Sequence, residues 1–441
     1  MPSPPAPAFH SALLYWLKLG FISFGGPAGQ IATMHRELVE RRRWISENHF
    51  LHALNFCMLL PGPEAQQLAT YLGWRLHGVR GGVAAGALFV LPSVLILFAL
   101  SWLYMTSGDV LWLAALFYGL LPAVIAIVAA ALLRIGRKAL KTPALWALAA
   151  ASFVAIFFFK VSFVIIIAAA ALAGWAGSHW MPQQFPSGTG GAGTRQEEEG
   201  FVVLPPCPAP SWKRTGMILS VCLVLWWLPV LLTGLWLGQD STIFRQGLFF
   251  SQTALITFGG AYAVLPYVAQ QAVEHFRWLT WPQMAAGLGL AETTPGPLIM
   301  VLQFVGFAGA WQHPPEGFSP LSSALLGGLL TTWVTFLPCF LFVFTGAPHV
   351  EQLRDHPRLG ASMTAITAAV VGVILNLGVW FAQHAIWPAG WTETLPLHGT
   401  DLFVVFVSIA AFAALHRYKA GVMPVIGACA LLGLVWKLAL R

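Results

Sequence analysis

Long uncharged stretches decide what this chain can fold into. Residues 81–104, 111–133 and 216–237 contain no Lys, Arg, Asp or Glu. A helix of about 20 apolar residues spans the roughly 30 Å hydrocarbon core of a bilayer. Of the 441 residues, 58% are hydrophobic and 9% are charged, whereas a soluble domain carries about 25% charged residues. So few charges cannot clothe a water-facing surface, and lipid must be the main solvent. The period-two alternation of an outer-membrane barrel is absent, which leaves helices as the way to satisfy the backbone inside lipid. The expected fold class is an all-α polytopic membrane protein.

The formal net charge is +7. In a soluble protein that surplus would point to nucleic acid. Here most basic residues sit in short loops between apolar segments, where the positive-inside rule places them in cytoplasmic loops, and no nucleic acid is expected. The five cysteines, Cys57, Cys207, Cys222, Cys339 and Cys429, are scattered and form no CxxC. Neither a disulfide framework nor a metal site is expected, and no cofactor. The opening stretch MPSPPAPAFHSALLYW lacks the basic start and small-residue cleavage pattern of a signal peptide, so the first apolar segment is expected to be retained.

Aligned with itself, the chain repeats. Phe24-Gly25-Gly26 recurs as Phe258-Gly259-Gly260, an offset of 258 − 24 = 234. Arg43-Trp44 recurs as Arg277-Trp278, and Pro61-Gly62-Pro63 as Pro295-Gly296-Pro297, at the same offset. Further on, Gly81-Gly82 and Pro92 match Gly327-Gly328 and Pro338, now at 338 − 92 = 246, which implies a short insertion around His313–Pro320. Residues 9–180 and 238–441 are therefore read as two repeats. Residues 181–237 between them are read as a flexible linker, rich in Gly, Pro and Glu over 183–211, followed by an unpaired transmembrane helix near 216–237.

Charges at equivalent positions do not match. The loop 34–46 carries Arg36, Arg41, Arg42 and Arg43, while 268–280 has only Arg277. The loop 134–141 carries Arg134, Arg137, Lys138 and Lys141, while 380–387 has no Lys or Arg. Conversely, 349–358 has Arg354 and Arg358, while the stretch near 103–112 has no Lys or Arg. Two repeats of inverted topology explain the pattern, with the unpaired helix supplying the odd crossing. Residues 50–75 lie between two basic loops, so with both loops cytoplasmic this segment is a re-entrant hairpin of two half-helices. Residues 11–33 are read the same way. As one helix, 144–177 would be about 51 Å long, so two short crossings meeting near Lys160 are expected. The alternative, with every segment crossing fully, puts one of the most basic loops outside.

The helix breaks are where chemistry is expected. Two prolines around a glycine interrupt a helix, and in a membrane such backbone is tolerated only inside protein or along a polar cavity. Pro63 and Pro297 suit the first residues of new half-helices, whose free N–H groups and positive dipole ends attract an anion. Gly25, Gly26, Gly62, Gly259, Gly260 and Gly296 permit close backbone approach. Broken helices at matching positions of inverted repeats point to a transporter's substrate site. Gln30, Gln66, Gln67, Tyr262, Thr293 and Thr294 are candidate donors to oxyanion oxygens, or ordinary interhelix contacts. Glu64 and Glu292 are candidate proton-coupling carboxylates, or caps of half-helices. His35, Arg36 and Arg43 read as a basic cytoplasmic vestibule or as a topology signal. Lys160 reads as a snorkelling hairpin tip.

These motifs resemble a known family. FGGPAGQIATMHRELVERRRW (24–44), LLPGPEAQQLATYLGW (59–74) and GGVAAGALFVLPS (81–93) are similar to first-half motifs of the chromate ion transporter family. ITFGGAYAVLPYV (256–268) and GLAETTPGPLIMVLQFVGFAGAW (289–311) resemble its second-half motifs. The resemblance covers both repeats and matches the long-chain, two-domain branch. It implies chromate efflux from the bacterial cytoplasm across the inner membrane, chromate resistance, and coupling to the proton-motive force. The expected partners are a chromate- or sulfate-like dianion and the lipid bilayer, with a homodimer as one possible assembly. A sulfate or other oxyanion transporter and a passive anion channel are the alternatives. An enzyme is not expected: the sequence has no HExxH, no P-loop and no flavin fingerprint.

Overall fold

The structure is a computed structural model that describes residues 7–24, 26–108, 110–186, 201–202, 211–258, 260–349, 357–388 and 399–439. Most of the linker, including 187–200 and 203–210, lies outside the described residues. The first half contains α1 (Phe9–Ile22), α2 (Gly26–His35), α3 (Glu47–Cys57), α4 (Glu64–Ser107), α5 (Leu111–Ala139), α6 (Pro143–Phe157) and α7 (Phe163–Trp180). Then come α8 (Trp212–Leu237) and the second half: α9 (Thr242–Ile256), α10 (Ala261–Gln270), α11 (Trp281–Thr293), α12 (Val301–Gln312), α13 (Pro320–Gly346), α14 (Pro357–Ile386), α15 (Leu402–His416) and α16 (Val422–Ala439). Seven of these, α4, α5, α7, α8, α13, α14 and α16, are long and apolar enough to cross a bilayer. Large apolar side chains such as Leu95, Trp146, Leu172, Leu235 and Phe406 are exposed, as lipid-facing residues are. The chain is an all-α polytopic membrane protein.

The chain reverses at each predicted break. Across Pro61–Pro63, the Phe56 and Tyr71 rings lie 5.4 Å apart; in an unbroken helix those residues would be about 22 Å apart. Across Pro295–Pro297, the Gln312 amide donates to Trp278 O at 2.9 Å. Across the Phe258–Gly260 break, Phe249 and Tyr267 meet at 5.5 Å. In the first half, the Arg42 guanidinium lies 4.9 Å from both the Tyr15 and Trp44 rings. Four short hairpins result, two per half: α1–α2, α3 with the start of α4, α9–α10 and α11–α12.

The basic loop expected at Arg75–Arg80 is a single tight reversal. A straight 44-residue α4 would be about 66 Å long, twice the hydrocarbon thickness. It turns back at His77 (φ −138°, ψ 24°) and Gly78 (φ 64°, ψ −157°), a conformation that favours glycine. Beyond the turn, Gly81 and Ala85 pack on Gly73, and Gly86 packs on Thr70 and Gln66. The second half makes the same turn with the longer loop 313–319, after which Gly327 and Thr331 pack on Gly306. The insertion at His313–Pro320 is this loop. The turn at Lys160 (φ 54°) joins α6 to α7, and its counterpart at Lys419 (φ 51°) joins α15 to α16.

Equivalent helices of the two halves run antiparallel. Along the pair formed by α13 and the returning limb of α4, Gly82 meets Phe344, Gly86 meets Phe340 and Gly328 meets Phe98. Along α5 and α14, Gly136 meets Val371 and Val128 meets Gly378. The terminal pairs are exchanged between halves: Gly174 of α7 packs on Ala361 and Ala365 of α14, and Gly433 of α16 packs on Ala115 and Gly119 of α5. Small residues let these backbones approach closely, so dispersion holds the helices where lipid offers no hydrophobic drive. Helix α8 has no counterpart. It lies at the rim, with Trp226 Nε1 donating to Ser251 Oγ at 3.0 Å.

Following these reversals sorts the charges. Arg41, Arg80, Lys138, Lys141 and Arg417 reach one end of the bundle, where Arg137 meets His416 at 3.5 Å. Lys160, Asp240, Arg277 and Glu316 reach the other. In a cysteine-free background, single cysteines at Glu40, Arg80 and Lys141 are expected to react with an impermeant maleimide from one side of the membrane. Cysteines at Lys160 and Glu316 should react from the opposite side. Labelling of Glu40 and Arg80 from opposite sides would disprove the α3–α4 hairpin.

Candidate functional site

The hairpin tips meet at the centre, and they do so reciprocally. Gly62 N donates to Thr257 O at 2.6 Å, and Gly296 N donates to Ser23 O at 2.7 Å. Ser23 and Thr257 are equivalent residues, each just ahead of a Phe-Gly-Gly motif. Each Pro-Gly-Pro turn is thus held by the other half of the chain. The glycines are required: Gly62 and Gly296 sit at φ +125° and +111°, Gly26 and Gly260 at +69° and +88°, a region closed to most side chains. The buried Gln30 amide adds a further bond across the halves, to Gly296 O.

This arrangement aims four helix starts at one place. Helices α2, α4 and α10, and the turn leading into α12, all begin at these tips. In α4, Gln67 N is the first to bond backwards, to Pro63 O at 3.1 Å. The N–H groups of Glu64, Ala65 and Gln66 precede it and have no carbonyl four residues back within the helix. Convergent amides and dipole ends favour negative charge. Around Gly26 there is open space: an added Cβ would meet no atom within 4 Å.

Two carboxylates sit here, at a depth where charge is costly. Glu64 is half-buried, and its Oε1 lies 3.8 Å from where a Cβ on Gly260 would be. Glu292 is buried and accepts a hydrogen bond from Tyr262 Oη at 2.6 Å. Helix α5 packs Leu120, Ala123 and Ile127 beside Tyr262 and carries the cations Arg134 and Lys138 farther along.

The remaining candidates divide. Gln66 Nε2 donates to Thr70 Oγ1 at 3.2 Å, and Gln67 Nε2 to Pro61 O at 2.7 Å. The side-chain oxygens of Gln30, Gln66 and Gln67, with Ser93 Oγ beside Gly296, are buried without a hydrogen-bond partner among the described residues. Thr293 and Thr294 both give their only hydroxyl hydrogen to Leu290 O, so in this state neither can donate to an anion. Gly25 and Gly259 lie outside the described residues. His35, Arg36 and Arg43 lie on the basic face and not at the tips. There His35 pairs with Glu40 and Glu47, Arg36 is exposed, and Arg43 O accepts from Val202 N. The sequence reading missed Ser93, Arg134 and Lys138. The signal for the two cations was present in their i, i+4 spacing on a helix end, but it was read as topology alone.

The opposite face has its own openings. A cavity of about 340 Å³ is lined by Lys160, Gln270, Glu274 and His275 among others. A neighbouring one of about 490 Å³ includes Arg245, His275 and His313. Among the described residues no group of three or more His, Cys, Asp or Glu is placed to hold a metal ion. Cys57, Cys222, Cys339 and Cys429 are buried and unpaired.

Known proteins resemble this arrangement in sequence. The family described as Chromate transporter matches residues 11–175 and 244–434, the two halves on either side of the linker and α8. A chromate transport protein of Cupriavidus metallidurans is 29% identical over 98% of this chain and 94% of its own length. One from Pseudomonas aeruginosa is 32% identical over 98% of this chain and 93% of its own length. A probable chromate transport protein of Synechococcus elongatus is 30% identical over 87% of this chain and 86% of its own length. No solved structure matches the chain.

The tip geometry predicts graded costs for adding a methyl group. Gly26→Ala faces open space and carries only left-handed backbone strain, about 1–2 kcal/mol. A Cβ at Gly62 would lie 2.8 Å from Gln67 Nε2 and 2.9 Å from Cys339 Sγ, and one at Gly296 2.6 Å from Ser93 Cβ. Gly62→Ala and Gly296→Ala should therefore each cost about 3 kcal/mol or more, strain plus overpacking. Thermal unfolding in detergent, followed by tryptophan fluorescence, checks the order. Equal shifts for all three would contradict the tip geometry.

Proposed function

The chain belongs to the chromate transporter family, and from that premise we propose that it is a secondary active transporter exporting chromate from the bacterial cytoplasm. On this reading it sits in the inner membrane, draws on the proton-motive force and confers chromate resistance. The observation that carries the proposal is the likeness to chromate transport proteins along nearly the whole chain. The convergence of four helix starts supports it, because a tetrahedral dianion needs several donors at once and no matching ring of carboxylates. The basic end of the bundle is the cytoplasmic one under the positive-inside rule.

Direction follows from electrostatics. A dianion leaving a cell with a negative interior gains about 4.6 kcal/mol per 100 mV, at about 2.3 kcal/mol per charge. The potential component of the proton-motive force is therefore enough to drive export. Glu64 and Glu292 are the groups through which a pH gradient would act as well.

Uptake of labelled chromate into inside-out vesicles tests both parts. Uptake should saturate, rise with an interior-positive potential and compete with sulfate. Glu64→Gln with Glu292→Gln should abolish the part driven by a pH gradient while the potential-driven part persists. Unchanged pH-driven uptake in that double variant would rule out these carboxylates as coupling groups. Unsaturable current would make the protein a channel, and sulfate uptake without chromate uptake would reassign the substrate.

A further inference from the structure

We infer that Arg134 and Lys138 of α5 bind the substrate, receiving the dianion from the basic face and passing it to the hairpin tips. This rests on the anion-transport reading above and adds the two cations that reading lacks.

The placement comes from one helix face. Tyr262 packs against the cluster that contains Leu120, Ala123 and Ile127 of α5. Positions seven apart share a helix face, so Leu120, Ile127 and Arg134 form one line and Lys138 continues it by a turn. Ala131, on the same face between them, is buried. Leu120 also packs on Gly289 of α11, the helix that carries Glu292. The two cations therefore extend the surface that holds the Tyr262–Glu292 pair toward the basic end of the bundle.

Neither cation is already occupied. Both are exposed, and among the described residues neither makes a hydrogen bond or an ion pair. Several other cations are engaged: Arg41 with Glu37, Arg245 with Asp240, Arg137 with His416 and Lys437 over the Tyr118 ring. Two free cations one helical turn apart match a dianion in charge, and charge-assisted bonds to its oxygens are the strong ones.

The internal symmetry makes the same point. At the 246-residue offset, Arg134 and Lys138 correspond to Trp380 and His384. Both of those are engaged locally, Trp380 Nε1 with Glu274 at 2.8 Å and His384 with Trp380 O at 2.9 Å. At the 234-residue offset, Glu64 and Glu292 correspond to Leu298 and Met58. None of these four residues has a Lys, Arg, Asp or Glu as its counterpart. The scaffold is doubled and the charge is not.

A topology signal would need only positive charge at that face, in any direction. Arg137, which is engaged with His416, and Lys141, which lies past the end of α5 at Ala139, belong to the same basic stretch, so they serve as charge-matched controls. Chromate uptake by inside-out vesicles is measured at equal expression, with folding checked by thermal unfolding. Arg134→Gln and Lys138→Gln should each raise KM about tenfold or more, as losing a charge-assisted bond does, and Arg134→Lys should recover part of that loss. Arg137→Gln and Lys141→Gln should change KM less than about twofold. If all four variants behave alike, the inference is wrong while the transport reading stands. If the wild type takes up neither chromate nor sulfate, the transport reading fails and this inference fails with it.

Discussion

A helix that stops half-way across a bilayer leaves amides and carbonyls with no water to bond. Each group left that way costs several kcal/mol. Here the problem is solved by exchange: the amide of each Pro-Gly-Pro turn bonds the carbonyl ahead of the other half's Phe-Gly-Gly. Neither half could satisfy its own turn. The glycines and prolines follow from this. Proline ends the helix and starts the next one, glycine takes the positive φ, and the missing Cβ leaves room for Ser93 or Gln67 to close on the turn. The same exchange brings helix starts from both halves to one point, so the site is a by-product of what stabilises the breaks.

The outer scaffold repeats the exchange at larger scale. Helices α6 and α7 of the first half pack on α14 of the second, and α15 and α16 pack on α5. Equivalent glycines, Gly174 and Gly433, make equivalent contacts. Such an assembly stays whole only while both halves are present, because each lends its last two helices to the other. The short apolar α6 and α15, 15 residues each, are shielded on one side by this lending and face lipid on the other.

Much of this was legible before any coordinates, for reasons that can be named. The constant offset of Gly26 with Gly260 and of Pro61 with Pro295 marked the doubled plan, because backbone that must adopt positive φ or break a helix allows few residue types. The turn at Lys160 was visible from length alone. The loop at Arg75–Arg80 was visible from its charge, but its contraction to a two-residue turn at His77–Gly78 was not, since one glycine within a helical pattern is a weak signal. Nor was the exchange between tips visible, because its acceptors are the carbonyls of Ser23 and Thr257, and a carbonyl has no side-chain identity. Thr293 and Thr294 looked like donors to substrate, but a threonine in a helix readily bonds the carbonyl three or four residues back, and both do so here.

A symmetric scaffold cannot by itself prefer one direction. If the two halves were chemically alike, the pathway from either face would present the same groups to an anion. The difference enters through side chains. On the basic face the surface leading to the tips carries Arg134 and Lys138. At the equivalent positions facing the other way stand Trp380 and His384, already engaged with Glu274 and with backbone. If these two cations receive the substrate as inferred above, the attraction on a dianion is stronger from one side than from the other. Glu64 and Glu292 lie beyond the cations, where a carboxylate opposes an entering anion while ionised and admits it once neutral. That ordering, cations first and carboxylates deeper, is one way in which a scaffold of two mirrored halves comes to treat its two faces differently.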